Sequence, residues 1–285
     1  MLEAAFAAHG STVEALAWDD HHARFDAFDA VVIGTTWDYW DRPAEFLATL
    51  RRIESETRLF NPSSLVAWNS DKRYLADLAA AGVPVVPSRF VDPGSSAVVP
   101  AGEVVVKPAI GAGSVGAQRF TDAAAAQAHM AALHADGRTA LIQPYDARIE
   151  AGETALVFVA GKQSHAFTKG PLLPPAGSTP ELDESGTYAT EQLQPADPDF
   201  ELWDVGCAAL AAAAAHLGID ATDFLYARVD VIGDRDHPLL LELELVEPSL
   251  GWRLLGESER AAAQRQFALG VESALERLGL GPLSH

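Results

Sequence analysis

Two segments near the end of the chain carry carboxylates on apolar runs: RVDV at residues 228–231 and LELELVEP at residues 241–248. Side chains alternate between the two faces of a strand, so Glu242 and Glu244 share one face and leucines occupy the other. The β-branched run 229–232 predicts a neighbouring strand that would add Asp230 to the same face. Clustered carboxylates repel one another unless a cation lies among them, and Mg²⁺ prefers oxygen ligands. The alternative is an edge strand with a solvated acidic face.

A second feature is a glycine-rich loop after a short apolar run that ends in a lysine. The run VVVKP covers residues 104–108, and GAGSVG follows at residues 111–116. Glycines let backbone amides turn toward an anion, and Lys107 adds a positive charge at the end of the strand. The loop lacks the Gly-Lys-Ser/Thr ending of a P-loop, and a strand-like segment follows it where a dinucleotide fold has a helix. We predict a hairpin that covers nucleotide phosphates; the alternative is an ordinary turn.

The order of these motifs resembles that of the ATP-grasp ligases, over about residues 69–250. The superfamily includes D-alanyl-D-alanine ligase and glutathione synthetase. The resemblance implies an α/β and α+β chain with the glutathione synthetase-like ATP-grasp fold, in which two subdomains clasp ATP. The matching positions are Lys72, Lys107, QPY at 143–145, Gly152-Glu153, Lys169, RVD at 228–230 and ELE at 242–244.

The resemblance also implies roles for these residues. Lys169 and Arg228 would be catalytic, one reaching the γ-phosphate and the other neutralising charge. Mg²⁺ or Mn²⁺ would be bound by Asp230, Glu242 and Glu244, the last standing where the superfamily usually has asparagine. ATP would be bound by Lys72 and Lys107, by Gly113, Ser114 and Val115 of the phosphate loop, by Gln143 and Tyr145 at the adenine, and by Glu153 at the ribose.

Further motifs are similar to one branch of the superfamily, which contains the cyclo-ligase that closes O-ureido-serine to cycloserine. They are TWDY at 36–39, WN at 68–69, SHA at 164–166 and LELVEPS at 243–249. Members of that branch tend to have an arginine in place of Gly34 and another after Lys169. This chain has glycine at the first position and no arginine between Lys169 and Arg228, so a cyclo-ligase reaction stays one possibility among carboxylate–amine ligations.

Substrate contacts are predicted in the loop after the apolar run 31–34, because open α/β layers bind ligands at strand ends. Arg42 could pair with a carboxylate and Asp38 with an ammonium group, or the two could pair with each other. Trp37 and Tyr39 are further candidates, with packing in the core as the alternative. His165 lies four residues before Lys169, hence on the same strand face, and could orient substrate or serve a structural role.

Composition narrows the class of protein. The chain has 285 residues, is 48% hydrophobic and carries a formal net charge of −20, which argues against a nucleic-acid partner. No run of about 18 apolar residues suggests a membrane span, so a cytoplasmic enzyme is expected. The single cysteine, Cys207, is expected in the core. A homo-oligomer is possible, and the expected partner is a small-molecule carboxylate or amine substrate.

The chain is expected to divide into three parts. Residues 1–68 would form a parallel α/β layer with a strand at 12–17 and its opening strand possibly missing. Residues 69–146 would form the small ATP-grasp subdomain, beginning with a helix capped by Asn69 or Ser70 that holds Lys72 in its first turn. Residues 147–285 would form the large subdomain with the metal site. The proline- and glycine-rich loop 170–187 would be a lid or a surface loop.

The function expected is an ATP- and Mg²⁺-dependent ligase that activates a small carboxylate as an acyl phosphate for attack by an amine. Such chemistry needs positioning and charge neutralisation more than an activated nucleophile. Two alternatives remain at this stage: a non-catalytic ATP-binding regulator, and a phosphotransferase on the same fold.

Overall fold

The computed structural model describes residues 2–8, 10–178 and 192–277. Its strands are β1 (Ala30–Val32), β2 (Arg58–Phe60), β3 (Arg89–Val91), β4 (Val104–Pro108), β5 (Gln118–Phe120), β6 (Ala140–Pro144), β7 (Glu153–Val159), β8 (Lys162–Lys169), β9 (Leu193–Ala196), β10 (Tyr226–Ile232) and β11 (Leu239–Glu244). Its helices are α1 (Leu2–Ala7), α2 (Pro43–Glu56), α3 (Ser63–Asn69), α4 (Tyr74–Ala80), α5 (Ala123–Ala135), α6 (Phe200–Leu217) and α7 (Glu257–Arg277).

The first layer is a parallel pair, β1 beside β2, connected through α2. Pro43 starts α2, as expected for a residue with a fixed φ and no amide donor. The strand expected at residues 12–17 does not form; that segment is irregular and mostly exposed. A strand needs a neighbour for its backbone groups, and no described strand pairs with this segment.

The second sheet is antiparallel, in the order β3-β6-β4-β5. β4 pairs with β5, so the glycine-rich loop connects two strands of a hairpin as predicted. α5 packs on this sheet, and Asp122 caps it by accepting a hydrogen bond from the Ala124 amide at 3.0 Å. Met130 and Leu133 of α5 are buried against Val106 and Ile142, which makes this sheet and its helix one core.

The third sheet is antiparallel, in the order β11-β10-β7-β8-β9. The predicted hairpin across Gly161 is confirmed by the pairing of β7 with β8. α6 buries its apolar side against one face of this sheet, where Phe158 and Val229 lie. α7 packs on the other face, where Phe267 stacks with Tyr226 at 6.2 Å between ring centroids.

The prediction of a helix that starts at Asn69 or Ser70 is wrong. α3 ends at Asn69, and α4 begins only at Tyr74, so Lys72 lies in the turn between two helices. The Asn69 side chain is bonded to the backbone of β11 and is therefore not available as a cap. α4 packs in the core of the third sheet with α6, so residues 74–80 belong by packing to the part expected to begin at 147.

α6 is a described helix that is long and apolar enough to cross a membrane, with a mean hydropathy of 1.2 over 18 residues. The sequence expectation missed it because alanines supply most of its apolar character. Its buried side, including Leu202 and Leu210, contacts the third sheet, and a core helix of a folded domain meets the same criterion. Cys207 lies on the outer side of α6 and is exposed, so the expectation that it is buried is wrong.

Two glycines inside helices offer a matched stability test. A Cβ at Gly206 would lie 2.8 Å from Cζ of Phe158, whereas a Cβ at Gly270 would lie 3.4 Å from Leu225 and Val159. We expect Gly206→Ala to lower the free energy of unfolding by about 1–2 kcal/mol, because overpacking exceeds the helix-propensity gain. Gly270→Ala should raise it by up to ~1 kcal/mol. Urea denaturation measures the free energy of unfolding of both variants. Equal changes in that free energy for the two variants would contradict the prediction.

Candidate active site

A cavity of about 220 Å³ lies between the glycine-rich loop, the end of β7 and β8, and β11. Most of the residues assigned roles from sequence line it. They are Lys72, Lys107, Gly113, Ser114, Val115, Gln143, Glu153, Lys169, Arg228, Glu242 and Glu244. Leu172 and Leu173 also line it. These two residues lie near the start of the predicted lid, whose residues 179–187 lie outside the described ranges.

The two lysines nearest the glycine-rich loop differ in their partners. Lys72 donates to the carbonyl of Gly111 at 2.8 Å and pairs with Glu242 at 3.1 Å. Lys107 makes no hydrogen bond or ion pair with any residue that the structure describes, and its burial lowers its pKa. A partly buried ammonium without a contact partner is unfavourable, so Lys107, which lines the cavity, is suited to an anionic ligand there.

The glycine-rich loop is held by side chains from other elements. His129 of α5 contacts the Gly116 carbonyl through Nε2 at 2.9 Å, and Arg138 donates to the Ile110 carbonyl at 3.0 Å. Gly113 and Ser114 both have positive φ, at 60° and 62°. The turn therefore needs a left-handed backbone, which glycine adopts freely and serine does not. Sequence reasoning missed the anchors His129 and Arg138, because neither belongs to a recognisable motif.

A buried charge network lies beside the cavity. Lys169 pairs with Asp230 at 2.5 Å and with Glu153 at 2.9 Å, and all three side chains are less than a tenth exposed. Arg228 donates through Nε and Nη2 to the two oxygens of Asp230, at 2.9 and 3.0 Å. Burial alone would raise the pKa of Asp230, but the charges of Arg228 and Lys169 lower it below its usual value. The network fixes Lys169 and Arg228 at the cavity wall.

The two acidic strands pair as predicted, with Asp230 opposite Glu242 and Arg228 opposite Glu244. The carboxylates of this face are bound to cations, because Glu242 contacts Lys72 and Glu244 contacts Arg228 at 2.5 Å. Burial raises the pKa of Glu244 to about 7, with the negative charges of Asp230 and Glu242 opposing the effect of Arg228. β11 is thus an edge strand of its sheet, as in the alternative interpretation, but its acidic face lines the cavity and is paired with cations.

The described residues contain no group of three or more His, Cys, Asp or Glu side chains that could hold a metal ion unaided. Asp230 is 1% exposed and lies behind the cavity wall, whereas Glu242 and Glu244 line the cavity. Mg²⁺ in nucleotide sites is usually bound by one or two carboxylates together with phosphate oxygens and water. The donor set therefore fits a metal ion that enters with a nucleotide.

Three polar side chains hold the backbone around β11, and sequence reasoning assigned none of them to this task. Asn69 donates to the Leu243 carbonyl and accepts from the Leu245 amide, both at 2.8 Å. Tyr74 accepts from the Leu243 amide at 3.0 Å, and Asn61 donates to the Leu245 carbonyl at 2.7 Å. Asn69 bonds the residues on both sides of Glu244 and thereby positions the acidic strand.

Of the two residues predicted to contact adenine, one lines the cavity and the other does not. Gln143 is buried, lines the cavity and donates to the Ser88 hydroxyl at 2.9 Å. Tyr145 does not line the cavity: the guanidinium of Arg119 lies 3.5 Å from its ring centroid, and its hydroxyl donates to Glu150. Arg119 also pairs with Glu103, so Tyr145 is part of a surface charge cluster.

Of the five predicted substrate residues, Trp37 and Tyr39 line the cavity. Asp38 accepts from Trp18 at 3.0 Å and Arg42 pairs with Asp19 at 2.7 Å, while the charged groups of Asp38 and Arg42 approach to 3.9 Å. These contacts match the alternative that the pair satisfies itself. His165 is bonded through Nε2 to the Leu250 carbonyl at 2.6 Å. Asp38, Arg42 and His165 do not line the cavity, so their substrate roles stay predictions that this geometry does not favour.

Comparisons with known proteins agree with this geometry. A family model described as D-cycloserine synthetase DcsG, N-terminal domain, matches residues 1–61. The cycloserine biosynthesis protein DcsG of Streptomyces lavendulae is 42% identical over 257 residues, covering 85% of this chain and 83% of that protein. The crystal structure of D-cycloserine synthetase DcsG matches with a TM-score of 0.84 and 38% identity, covering 96% of this chain and 93% of that one.

A more distant structure shares the fold. D-alanine–D-alanine ligase from Bacillus anthracis, solved in complex with ATP, has a TM-score of 0.57 and 14% identity, with 88% of this chain and 80% of that one covered. The ATP-grasp fold expected from the order of motifs is thereby confirmed, and so is the branch. The chain belongs to the family of the cycloserine biosynthesis protein DcsG, and it is an ATP-dependent carboxylate–amine ligase of the ATP-grasp fold that acts on small molecules.

Proposed function

We propose that this ligase activates the carboxylate of a small amino acid and closes the product on itself, as a cyclo-ligase that forms cycloserine from O-ureido-serine. The observation that carries the proposal is the 38% identity and TM-score of 0.84 to D-cycloserine synthetase DcsG over nearly the whole chain. The cavity is consistent with this proposal. Its wall contains lysines and an arginine that can bind phosphates, carboxylates that can bind a metal ion, and Trp37 and Tyr39.

The reaction has three steps. A carboxylate oxygen of the substrate attacks the γ-phosphorus of ATP, which forms an acyl phosphate and releases ADP. The ureido nitrogen attached to oxygen then attacks the acyl carbon, loses a proton and expels inorganic phosphate as the ring closes. Cycloserine lacks the carbamoyl group of O-ureido-serine, so water must also cleave the bond between the ring nitrogen and the carbamoyl carbon; the nitrogen takes up a proton, and the released carbamic acid decomposes to CO₂ and ammonia.

The residues of the cavity wall support the first step by binding and charge neutralisation. Lys107 and the glycine-rich loop bind phosphates, and Gln143 lies at the adenine end. Lys169, held between Asp230 and Glu153, and Arg228 neutralise the charge that develops as the phosphoryl group moves. Glu242 and Glu244 would hold Mg²⁺ or Mn²⁺, which supplies Lewis-acid stabilisation of the phosphates when bound. We place the enzyme in the cytoplasm, where ATP is available.

The test is incubation of the purified chain with ATP, MgCl₂ and O-ureido-serine, with ADP release and cycloserine formation followed by mass spectrometry. We expect cycloserine and ADP to appear together. Hydroxylamine added during turnover should trap the acyl phosphate as a hydroxamate, whereas a phosphotransferase would yield a stable phosphorylated product and no hydroxamate. ADP release without cycloserine would contradict the cyclo-ligase assignment, and no ADP release with this substrate would contradict the substrate.

A further inference from the structure

We propose that Glu247 and Tyr39 form the binding subsite for the positively charged amino group of the substrate. This inference rests on the proposed function, in which an amino acid is activated at its carboxylate. The two residues come from different parts of the chain: Glu247 follows β11, and Tyr39 lies in the loop between β1 and α2. Both line the cavity.

The segment that carries Glu247 is joined directly to the loop that carries Tyr39. The indole nitrogen of Trp37 donates to the Glu247 backbone carbonyl at 3.0 Å. The Tyr39 ring stacks on Phe46 with 4.9 Å between ring centroids, and the residue is only 4% exposed. The indole bond therefore ties the backbone of Glu247 to the loop that carries Tyr39, and the stacking on Phe46 holds the Tyr39 ring in place.

The side-chain polar groups of Glu247 and Tyr39 are without partners among the residues that the structure describes. Four other acids around the cavity each contact a lysine or arginine, at 2.5–3.1 Å: Glu153, Asp230, Glu242 and Glu244. The carboxylate of Glu247 makes no such ion pair and no hydrogen bond with the described part of the chain. Glu247 is partly buried and lines the cavity, so an acid that lacks a cationic partner where its neighbours each have one is available to a cationic ligand.

Tyr39 shows the same contrast with the other buried tyrosines. The hydroxyl of Tyr74 accepts from the Leu243 amide at 3.0 Å, and that of Tyr226 donates to the Val246 carbonyl at 2.8 Å. The hydroxyl of Tyr39 bonds to no described residue, although its ring is as firmly packed as theirs. Burial, and then the negative charge of Glu247, raise the pKa of the Tyr39 hydroxyl, so this phenol provides a second oxygen near the Glu247 carboxylate.

An ammonium group is the ligand that this pair fits. It has three donors and no acceptor, so it can bind a carboxylate oxygen and a phenolic oxygen at once. Burial, and then the negative charges of Glu244 and Glu242, raise the pKa of Glu247 well above its usual value. A positive charge at the carboxylate would offset that unfavourable environment. Asp38, the acid first expected to bind the ammonium, is already bonded to Trp18.

The position also suits an α-amino acid. Arg228 donates to the Ser249 carbonyl at 3.1 Å, so its guanidinium lies beside the same segment that carries Glu247. In an α-amino acid the ammonium and carboxylate groups are separated by a single carbon. Binding the ammonium at Glu247 therefore directs the carboxylate toward the cationic side of the cavity, where phosphoryl transfer takes place.

The test compares O-ureido-serine with its desamino analogue, in which hydrogen replaces the amino group. Glu247→Gln should raise the KM for O-ureido-serine by about 10- to 100-fold, because it removes a charged hydrogen-bond acceptor. It should leave the KM for ATP, and the weak kcat/KM for the desamino analogue, within about twofold. Tyr39→Phe should act in the same direction with a smaller effect. Thermal melts establish whether each variant folds. If Glu247→Gln does not fold, Tyr39→Phe provides the test.

The control is Glu103→Gln, a partly exposed acid that pairs with Arg119 outside the cavity and should change neither KM. Equal losses for the amino and desamino substrates, or wild-type kinetics in both variants, would overturn the subsite.

If the wild-type enzyme makes no cycloserine, the proposed function fails, but the subsite can still be tested with other substrates. Hydroxamate trapping then compares alanine with propionate and serine with 3-hydroxypropionate. An amine preference lost in Glu247→Gln supports the subsite, and no amine preference overturns it.

Discussion

Replacing Glu242 with glutamine is expected to lower ATP turnover by about 10³-fold or more. The carboxylate lines the cavity on β11 and is the acid best placed to bind a metal ion that enters with ATP. Loss of metal stabilisation is worth several kcal/mol, and ~4 kcal/mol corresponds to about 10³ in rate. ADP release is measured over a range of MgCl₂ concentrations, since a weakened metal site should also shift the metal dependence to higher concentration.

Glu103→Gln is the matched control for this experiment. Its side chain is 28% exposed, close to the 25% of Glu242, and it also pairs with a cation, but it lies outside the cavity. It should retain turnover and metal dependence. Melting temperatures of both variants separate catalysis from folding. Asp230 is a poorer site for the test, because its removal would leave the buried charges of Lys169 and Arg228 without their partner. Near-normal turnover of Glu242→Gln would exclude Glu242 as a metal ligand.

Replacing Lys107 with methionine is expected to weaken ATP binding and to lower kcat/KM by about 10²- to 10³-fold, the loss typical of one preorganised electrostatic contact. Methionine retains most of the apolar stem, so packing changes little. The same substitution should leave thermal stability unchanged or raise it, because the free enzyme no longer buries an ammonium group that has no contact partner. Calorimetric titration with a non-hydrolysable ATP analogue measures the affinity.

Lys162→Met provides the control, because Lys162 is exposed at the start of β8, at the turn of the hairpin. It should bind the analogue as the wild type does. If Lys107→Met also keeps wild-type affinity, Lys107 does not bind the nucleotide. If it melts at a much lower temperature, Lys107 stabilises the fold and the assignment from its missing partner is wrong.

Local pattern was sufficient for the elements that carry the site. The alternation of Glu242 and Glu244 with leucines, and the apolar run before Lys107, correspond to β11 and β4 within a few residues. The hairpin at the glycine-rich loop and the pairing of Asp230 with Glu242 are also as predicted. These features depend on neighbouring residues or on strand periodicity, and both are visible in the sequence.

The predictions were least informative where a side chain found its partner outside the motif to which it belongs. Asn69 has the sequence of a helix cap, yet it bonds the backbone of β11, 174 to 176 residues away. Asp38, Arg42 and Tyr145 have functional groups suited to ligands, but Trp18, Asp19, Arg119 and Glu150 satisfy them outside the cavity. A sequence shows that a polar group needs a partner and does not show which group supplies it.

By itself, the sequence determined the two acidic strands and the glycine-rich hairpin, because these depend on short-range pattern. The ATP-grasp fold was implied by the resemblance of the motif order to that superfamily. The tertiary structure alone decided which charges are matched. It bound Lys169 and Arg228 to Asp230, and it left Lys107 and Glu247 without contact partners among the described residues. The physical reason is that the energy of a buried charge depends on all neighbours within a few ångströms, and these neighbours converge only when the three sheets pack together.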